Sequence, residues 1–144
     1  MSEVYLGNPN LKKANTPIEF TAEQIEEFIK CKQDPVYFAR NFVQIVNVDK
    51  GLIPFEMYPF QEKLIKNFHG NRFNICKMPR QTGKSTTVVS YLLHYAVFND
   101  NVNIGILANK ASTARELLER LQTAFENLPR WMQQGIVAWN RGSL

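Results

Sequence analysis

The stretch Cys76 to Thr87, CKMPRQTGKSTT, constrains this chain more than any other. Its Gly83-Lys84-Ser85 follows an apolar run, RFNICKM, that reads as a short strand. It opens a second run, STTVVSYLLHYAVF, that is apolar almost all round. Such a run is expected as a helix packed deep against a sheet. Gly-Lys-Ser between a strand and a helix is the tail of a phosphate-binding loop, G-x-x-x-x-G-K-[ST]. The first glycine of that pattern falls on Met78 here, so the loop lacks it. The alternative is a chance Gly-Lys-Ser at a helix cap, and the flanking strand and helix weigh against it.

The chemistry of such a loop assigns roles by position. Backbone N–H groups at a helix N-terminus, with the helix dipole behind them, favour phosphate oxygens. Gly83 lets the backbone approach closely, and Lys84 sets its ammonium on the β- and γ-phosphates. Ser85 holds Mg²⁺ through its hydroxyl, and Thr86 adds an α-phosphate contact. Gln81 and Thr82 belong to the same candidate nucleotide-contacting set. Arg80 sits inside the loop, where a fixed guanidinium suits a developing γ-phosphate charge. A surface arginine that caps a loop carbonyl is the competing reading. Arg80 and Lys84 are the candidate catalytic residues.

Organisation along the chain follows from local signals. Residues 1–16 are polar, with Gly7 and Pro9, and read as a loose arm. In FTAEQI, Thr21 and Gln24 have capping-box spacing and Phe20 and Ile25 have hydrophobic-staple spacing, so a helix is expected to about Lys32. Asp34-Pro35 predicts an N-cap and first-turn proline opening a helix through about Phe42. Val43 to Val48 is strand-like, Asp49-Lys50-Gly51 is a turn, and a helix is expected from near Pro59 to before His69. After the loop helix, Ile104 to Ala108 reads as a strand. Ala114, Leu117, Leu118, Leu121, Phe125 and Leu128 follow helical spacing, and Pro129 closes that helix. GIVAW, 135–139, is a third strand-like run. From residue 72 the order is β-loop-α-β-α-β, which predicts an α/β fold with a parallel sheet flanked by helices. The expected divisions are the arm at 1–16, a small helical segment at 17–57, and a P-loop domain from 58 to 144.

Composition adds bounds rather than function. The chain has 144 residues, a formal net charge of +4 and 44% hydrophobic residues, enough for one buried core. The mild basic excess permits an anionic partner without demanding one. Cys31 and Cys76 form no C-x-x-C, so no disulfide is expected, and Cys76 reads as a buried thiol in its apolar run. His69 and His94 lack metal-ligand spacing and read as non-catalytic; Trp131 and Trp139 read as core or interface. No stretch approaches the ~20 apolar residues of a membrane span, and a soluble, intracellular protein is expected.

MPRQTGKST resembles the deviant Walker A loop of tailed-bacteriophage terminase large subunits, the ATPase motors that package DNA into procapsids. The resemblance continues upstream through DPVYFARNFVQI and GLIPFEMYPFQEKLIKNF. Downstream it takes in VNIGILANKASTARELLERL and LPRWMQQGIVAWNRGSL, so it covers most of residues 34–144. It implies that YPFQ is an adenine-binding motif, with Gln61 reading the base edge and Tyr58 or Phe60 packing on the ring. Read from the residues alone, Tyr58, Phe60, Leu64 and Ile65 are core and Gln61 is exposed. The resemblance further implies ATP and Mg²⁺ as cofactors. It implies double-stranded viral DNA, a portal protein and a small terminase subunit as partners, a homo-oligomeric ring for the full-length protein, and the cytoplasm of an infected bacterium as the place of action.

Hydrolysis also requires a carboxylate at a neighbouring strand end to hold Mg²⁺ and a second to activate water. The last aspartate is Asp100, and Glu116, Glu119 and Glu126 fall on the exposed side of an amphipathic helix. None follows a strand. In the resembled family the Walker B Asp, the catalytic Glu and the nuclease domain lie beyond the last residue here. The expectation is an incomplete ATPase domain, from a natural truncation, a split gene or an incomplete reading frame. Two other functions stay open: a helicase-like P-loop NTPase acting on nucleic acid, and a non-catalytic module that binds ATP.

Overall fold

A capping box opens the first helix of the computed structural model, which describes residues 3–47 and 49–143. Thr21 Oγ1 accepts the Gln24 N–H at 3.2 Å while Gln24 Oε1 accepts the Thr21 N–H at 3.1 Å. Helix α1 runs Ala22–Gln33. Asp34 then caps α2, Pro35–Phe42, by accepting the N–H groups of Val36 and Tyr37 at 2.8 and 3.1 Å. Phe20 turns its ring edge towards Phe28 and Trp131, at 6.3 and 6.5 Å between centroids.

Two short antiparallel hairpins accompany the helices. β1, Val4–Tyr5, pairs with β2, Asn8–Lys12. β3, Gln44–Asn47, pairs with β4, Gly51–Pro54, in the register Gln44↔Pro54 to Asn47↔Gly51. Asn47 Oδ1 accepts the Asp49 and Lys50 N–H groups and shapes the expected turn. Val48, the last residue of the strand expected from Val43, lies outside the described residues, as do Met1, Ser2 and Leu144 of the expected arm and P-loop domain.

The remaining helices are α3, Pro59–Gly70, α4, Lys84–Phe98, and α5, Ala111–Glu126. α4 is the hub: α2, α3 and α5 all pack against it. Its buried residues are Thr87, Val89, Ser90, Leu93, His94, Val97 and Phe98, so the helix is deeply packed as expected, but against helices where a sheet was expected. Phe38 of α2 meets Phe98 edge-on at 5.4 Å between centroids, and His94 at 5.5 Å. Trp131 and Trp139 pack on this core as expected, Trp131 against Phe42 and Trp139 against Phe125.

Of three expectations, the loose arm and the buried Cys76 differ from the structure, and the parallel sheet is not shown in it. The segment read as a loose arm carries the β1–β2 hairpin, docked through Leu11, which is 1% exposed. Lys13 and Ile136 form a parallel bridge, with Ile136 N–H donating to Lys12 O at 2.8 Å and Ala14 N–H to Ile136 O at 3.0 Å. Gly135 permits that approach, since a Cβ there would lie 2.7 Å from Ala14 Cα. Buried Gln133 ties the same parts together: its Oε1 accepts the Lys12 N–H and its Nε2 lies on the carbonyls of Asn10, Phe125 and Leu128. A polar amide buried at residue 133 compensates what polar residues 3–16 lack in apolar area.

Second, 72–78, 104–108 and 135–139 hold no ladder of paired strands among the described residues, whose two sheets are both antiparallel. An apolar run becomes a strand only when neighbours take up its N–H and C=O groups, and parallel sheets need cover on both faces. Ile75, Leu107 and Val137 stand in solvent accordingly. The observed architecture is α/β, with five helices and two two-stranded sheets. Third, Cys76 is exposed instead of buried, for the same reason. Cys31 is the buried thiol, and burial pushes its pKa up to about 12. Among the described residues no helix is long and apolar enough to cross a membrane.

Candidate functional site

The loop 79–83 enters α4 through Gly83, the N-cap, at φ 73 and ψ 19. This is left-handed backbone, open to glycine at little cost. Gln81 also has a positive φ, 60, a strained choice for a residue with a Cβ. The two left-handed residues fold the loop back on itself. Pro79 O then accepts from two side chains, Lys84 Nζ at 2.7 Å and Thr82 Oγ1 at 3.1 Å. Thr87 Oγ1 donates to Gly83 O at 2.9 Å and secures the first turn of α4.

The first N–H groups of a helix have no intrahelical partner and carry its positive end. The first turn of α4 contains no acidic residue to occupy them. Lys84 stands beside them, Ser85 is exposed on the same turn, and Thr86 is half-buried. Arg80 and Gln81 are exposed in the loop. The arrangement is a basic, donor-rich cradle open to solvent, suited to an anion with several oxygens. Lys84, held on a carbonyl, is placed to exchange that acceptor for an anionic one.

α3 brings YPFQ against this cradle. Gln61 is 4% exposed, the reverse of the exposed side chain read from the residues alone. Tyr58 and Phe60, read there as core, are 66% and 44% exposed. Their rings stack with centroids 5.8 Å apart and planes 7° from parallel. Gln61 Oε1 accepts the Tyr58 N–H at 2.9 Å and Nε2 donates to Thr82 O at 3.5 Å. Ile65 is core as expected, fully buried one turn further on. So Gln61, Thr82, Gly83 and Lys84 come together, with the aromatic pair at the same helix end.

Other candidates lie elsewhere. His94 is deep in α4, its Nε2–H donating to Cys31 O at 2.8 Å, with its Nδ1 unpartnered among the described residues. Burial lowers its pKa, with His69 nearby adding to the effect. Asp100 follows the far end of α4, and Glu116 and Glu119 are exposed on α5. Glu126 is half-buried and accepts from Asn8 Nδ2 at 3.1 Å. No group of three or more His, Cys, Asp or Glu among the described residues is placed to hold a metal ion. A cavity of about 740 Å³ opens away from the loop, between α4 and α5, lined by Leu93, Val97, Ile104, Leu118, Phe125 and Ile136 among others.

Sequence reasoning missed the Pro79 carbonyl as the shared acceptor and the burial of Gln61. A carbonyl leaves no residue-type signal. The glutamine had one: it stands three residues after Tyr58, the spacing at which an N3 glutamine returns to the N-cap N–H.

Residues 75–144 match the family described as terminase large subunit, T4likevirus-type, N-terminal. The match takes in the loop, α4, α5 and the segment that pairs with the N-terminal hairpin. Residues 34–74 of the resemblance, Gln61 among them, lie outside it. Over residues 75–144 the chain is similar to the N-terminal part of terminase large subunits of the T4-like-virus type, which supports a phage terminase large-subunit fragment.

Proposed function

We propose that the chain is the ATP-binding front of a terminase large subunit, the motor that drives viral DNA into procapsids. The observation that carries this reading is Gly83-Lys84-Ser85 at the acid-free N-terminus of α4, with the Gln61 carboxamide against it. Lys84 and the first N–H groups of α4 bind the β- and γ-phosphates, with Gln81, Thr82 and Thr86 completing the cradle and Arg80 set for the γ-phosphate. The Ser85 hydroxyl and phosphate oxygens are the natural ligands for Mg²⁺, which dehydrates reluctantly and takes few protein groups. Mg²⁺ supplies neutralisation of phosphate charge. Gln61 contacts the adenine edge and the Tyr58–Phe60 pair offers it a stacking face. A P-loop parallel sheet built on 72–78 and 104–108 belongs to the same proposal. So do double-stranded DNA, portal protein and small terminase subunit as partners, a ring of subunits, and the cytoplasm of the infected bacterium.

A second reading, ATP binding without turnover, is favoured by where Asp100, the last aspartate, stands. α4 has 15 residues, which places Asp100 roughly 22 Å along the axis from the loop at ~1.5 Å per residue. Thermal-shift titration with Mg-ATP tests the shared claim. At ~100 times its dissociation constant, ATP stabilises a protein by about 2.7 kcal/mol. The expected result is a rise in melting temperature that Lys84→Ala abolishes. An equal rise in both proteins would remove Lys84 from the site.

A further inference from the structure

Gln61 occupies a position that a base contact alone does not require. It is the third residue of α3, and its side chain folds back so that Oε1 takes the Tyr58 N–H at 2.9 Å. That anchors one end of the carboxamide to the helix start. The other end, Nε2, crosses to Thr82 O at 3.5 Å. A Cβ at Gly83 would lie 2.5 Å from the same Nε2. At 4% exposure, the carboxamide is wedged between the start of α3 and the peptide joining Thr82 to Gly83. The other hydrogen bonds described for this turn, to Pro79 O and Gly83 O, come from the loop itself or from α4.

We infer that Gln61 is a positioning residue for the phosphate loop, in addition to any contact with a base. It holds the Thr82–Gly83 peptide in the left-handed turn from which the first N–H groups of α4 project. The inference rests on the nucleotide reading above. Both tasks fit one carboxamide: Oε1 has a second lone pair and Nε2 a second proton. Gly83 is then required twice, by its φ of 73 and by the Gln61 contact. The loop is ordered from α3 before any ligand arrives, so phosphate affinity depends on a residue that touches no phosphate.

The test uses a ligand without a base. Mg-tripolyphosphate and Mg-ATP are titrated calorimetrically into the wild-type chain and into Gln61→Met, which keeps the volume and adds no charge. Loss of positioning weakens tripolyphosphate about five- to tenfold, the worth of one net hydrogen bond, and weakens ATP by at least that factor, since ATP also loses any base contact. Unchanged tripolyphosphate affinity with weakened ATP would overturn the inference and leave Gln61 as a base contact alone. A wild-type chain that binds neither ligand defeats the nucleotide reading, and the inference with it. A ligand-free measurement guards against a variant that folds poorly: a thermal-stability cycle of Gly83→Ala, Gln61→Ala and the double variant. Gly83→Ala is expected to cost less when Gln61 is Ala, because the crowding atom is gone. Strict additivity would show that the two residues do not meet, and would refute the positioning role.

Discussion

Gln133→Ala probes the contact that docks the N-terminal hairpin. Gln133 is 2% exposed, and its carboxamide serves Lys12 N–H at 3.1 Å and the carbonyls of Asn10, Phe125 and Leu128 at 2.8, 3.2 and 3.1 Å. These losses are unequal. Asn10 is exposed and Lys12 half-buried, so water replaces much of what they lose. Phe125 O keeps the Leu128 N–H at 3.0 Å. Leu128 O, in a residue 4% exposed, has no other partner among the described bonds. One orphaned buried carbonyl costs ~1–3 kcal/mol and a typical lost hydrogen bond ~1 kcal/mol. With the cavity left by the missing side-chain atoms, the total is about 3 kcal/mol. At ~2–4 °C per kcal/mol for a domain of this size, melting falls by about 6–12 °C. Circular-dichroism melting reads the total, and amide exchange at Lys12, Ala14 and Ile136 reads its location. A melting shift below ~2 °C, or unchanged protection at those amides, would refute the claim that Gln133 holds the hairpin.

Four further outcomes are expected. His94 has a folded pKa pushed below its usual 6.5, mainly by burial; the unfolded chain therefore binds a proton that the folded one refuses, and stability falls as pH drops below 6.5 towards the folded pKa. Melting temperatures from pH 7 to 5.5 should show this decline in the wild type and less of it in His94→Gln, and equal slopes would discount His94. Gln81→Gly removes a left-handed non-glycine residue and should stabilise the chain by up to ~1 kcal/mol, with denaturant midpoints as the readout. ATP should bind more tightly than GTP, since a mismatched buried donor or acceptor costs ~1–3 kcal/mol; equal affinities in competition would count against Gln61 as a base contact. The 144-residue chain should bind ATP yet release phosphate ~10²–10⁴-fold more slowly than an enzyme with a positioned general base, and ordinary turnover lost in Lys84→Ala would contradict this.

Helix starts were legible in the sequence because their causes are local. Thr21 with Gln24, and Asp34 alone, satisfy orphan N–H groups within three residues of themselves, Pro35 has no N–H to satisfy, and both caps form as read. The apolar surround of 85–98 likewise determined a buried helix, and Gly83-Lys84-Ser85 determined what its N-terminus presents. Partners distant in the chain were not legible. Whether 72–78 and 104–108 pair depends on neighbouring backbone that no property of those residues supplies, and the described fold leaves both runs without a ladder. Polar residues 3–16 dock because Gln133 and the Ile136 backbone come to meet them across the whole length of the chain. Gln61 is buried because α2 and α4 bring α3 against the loop. In each case the deciding term is desolvation of a polar group, and which groups leave water is known only once the elements have packed.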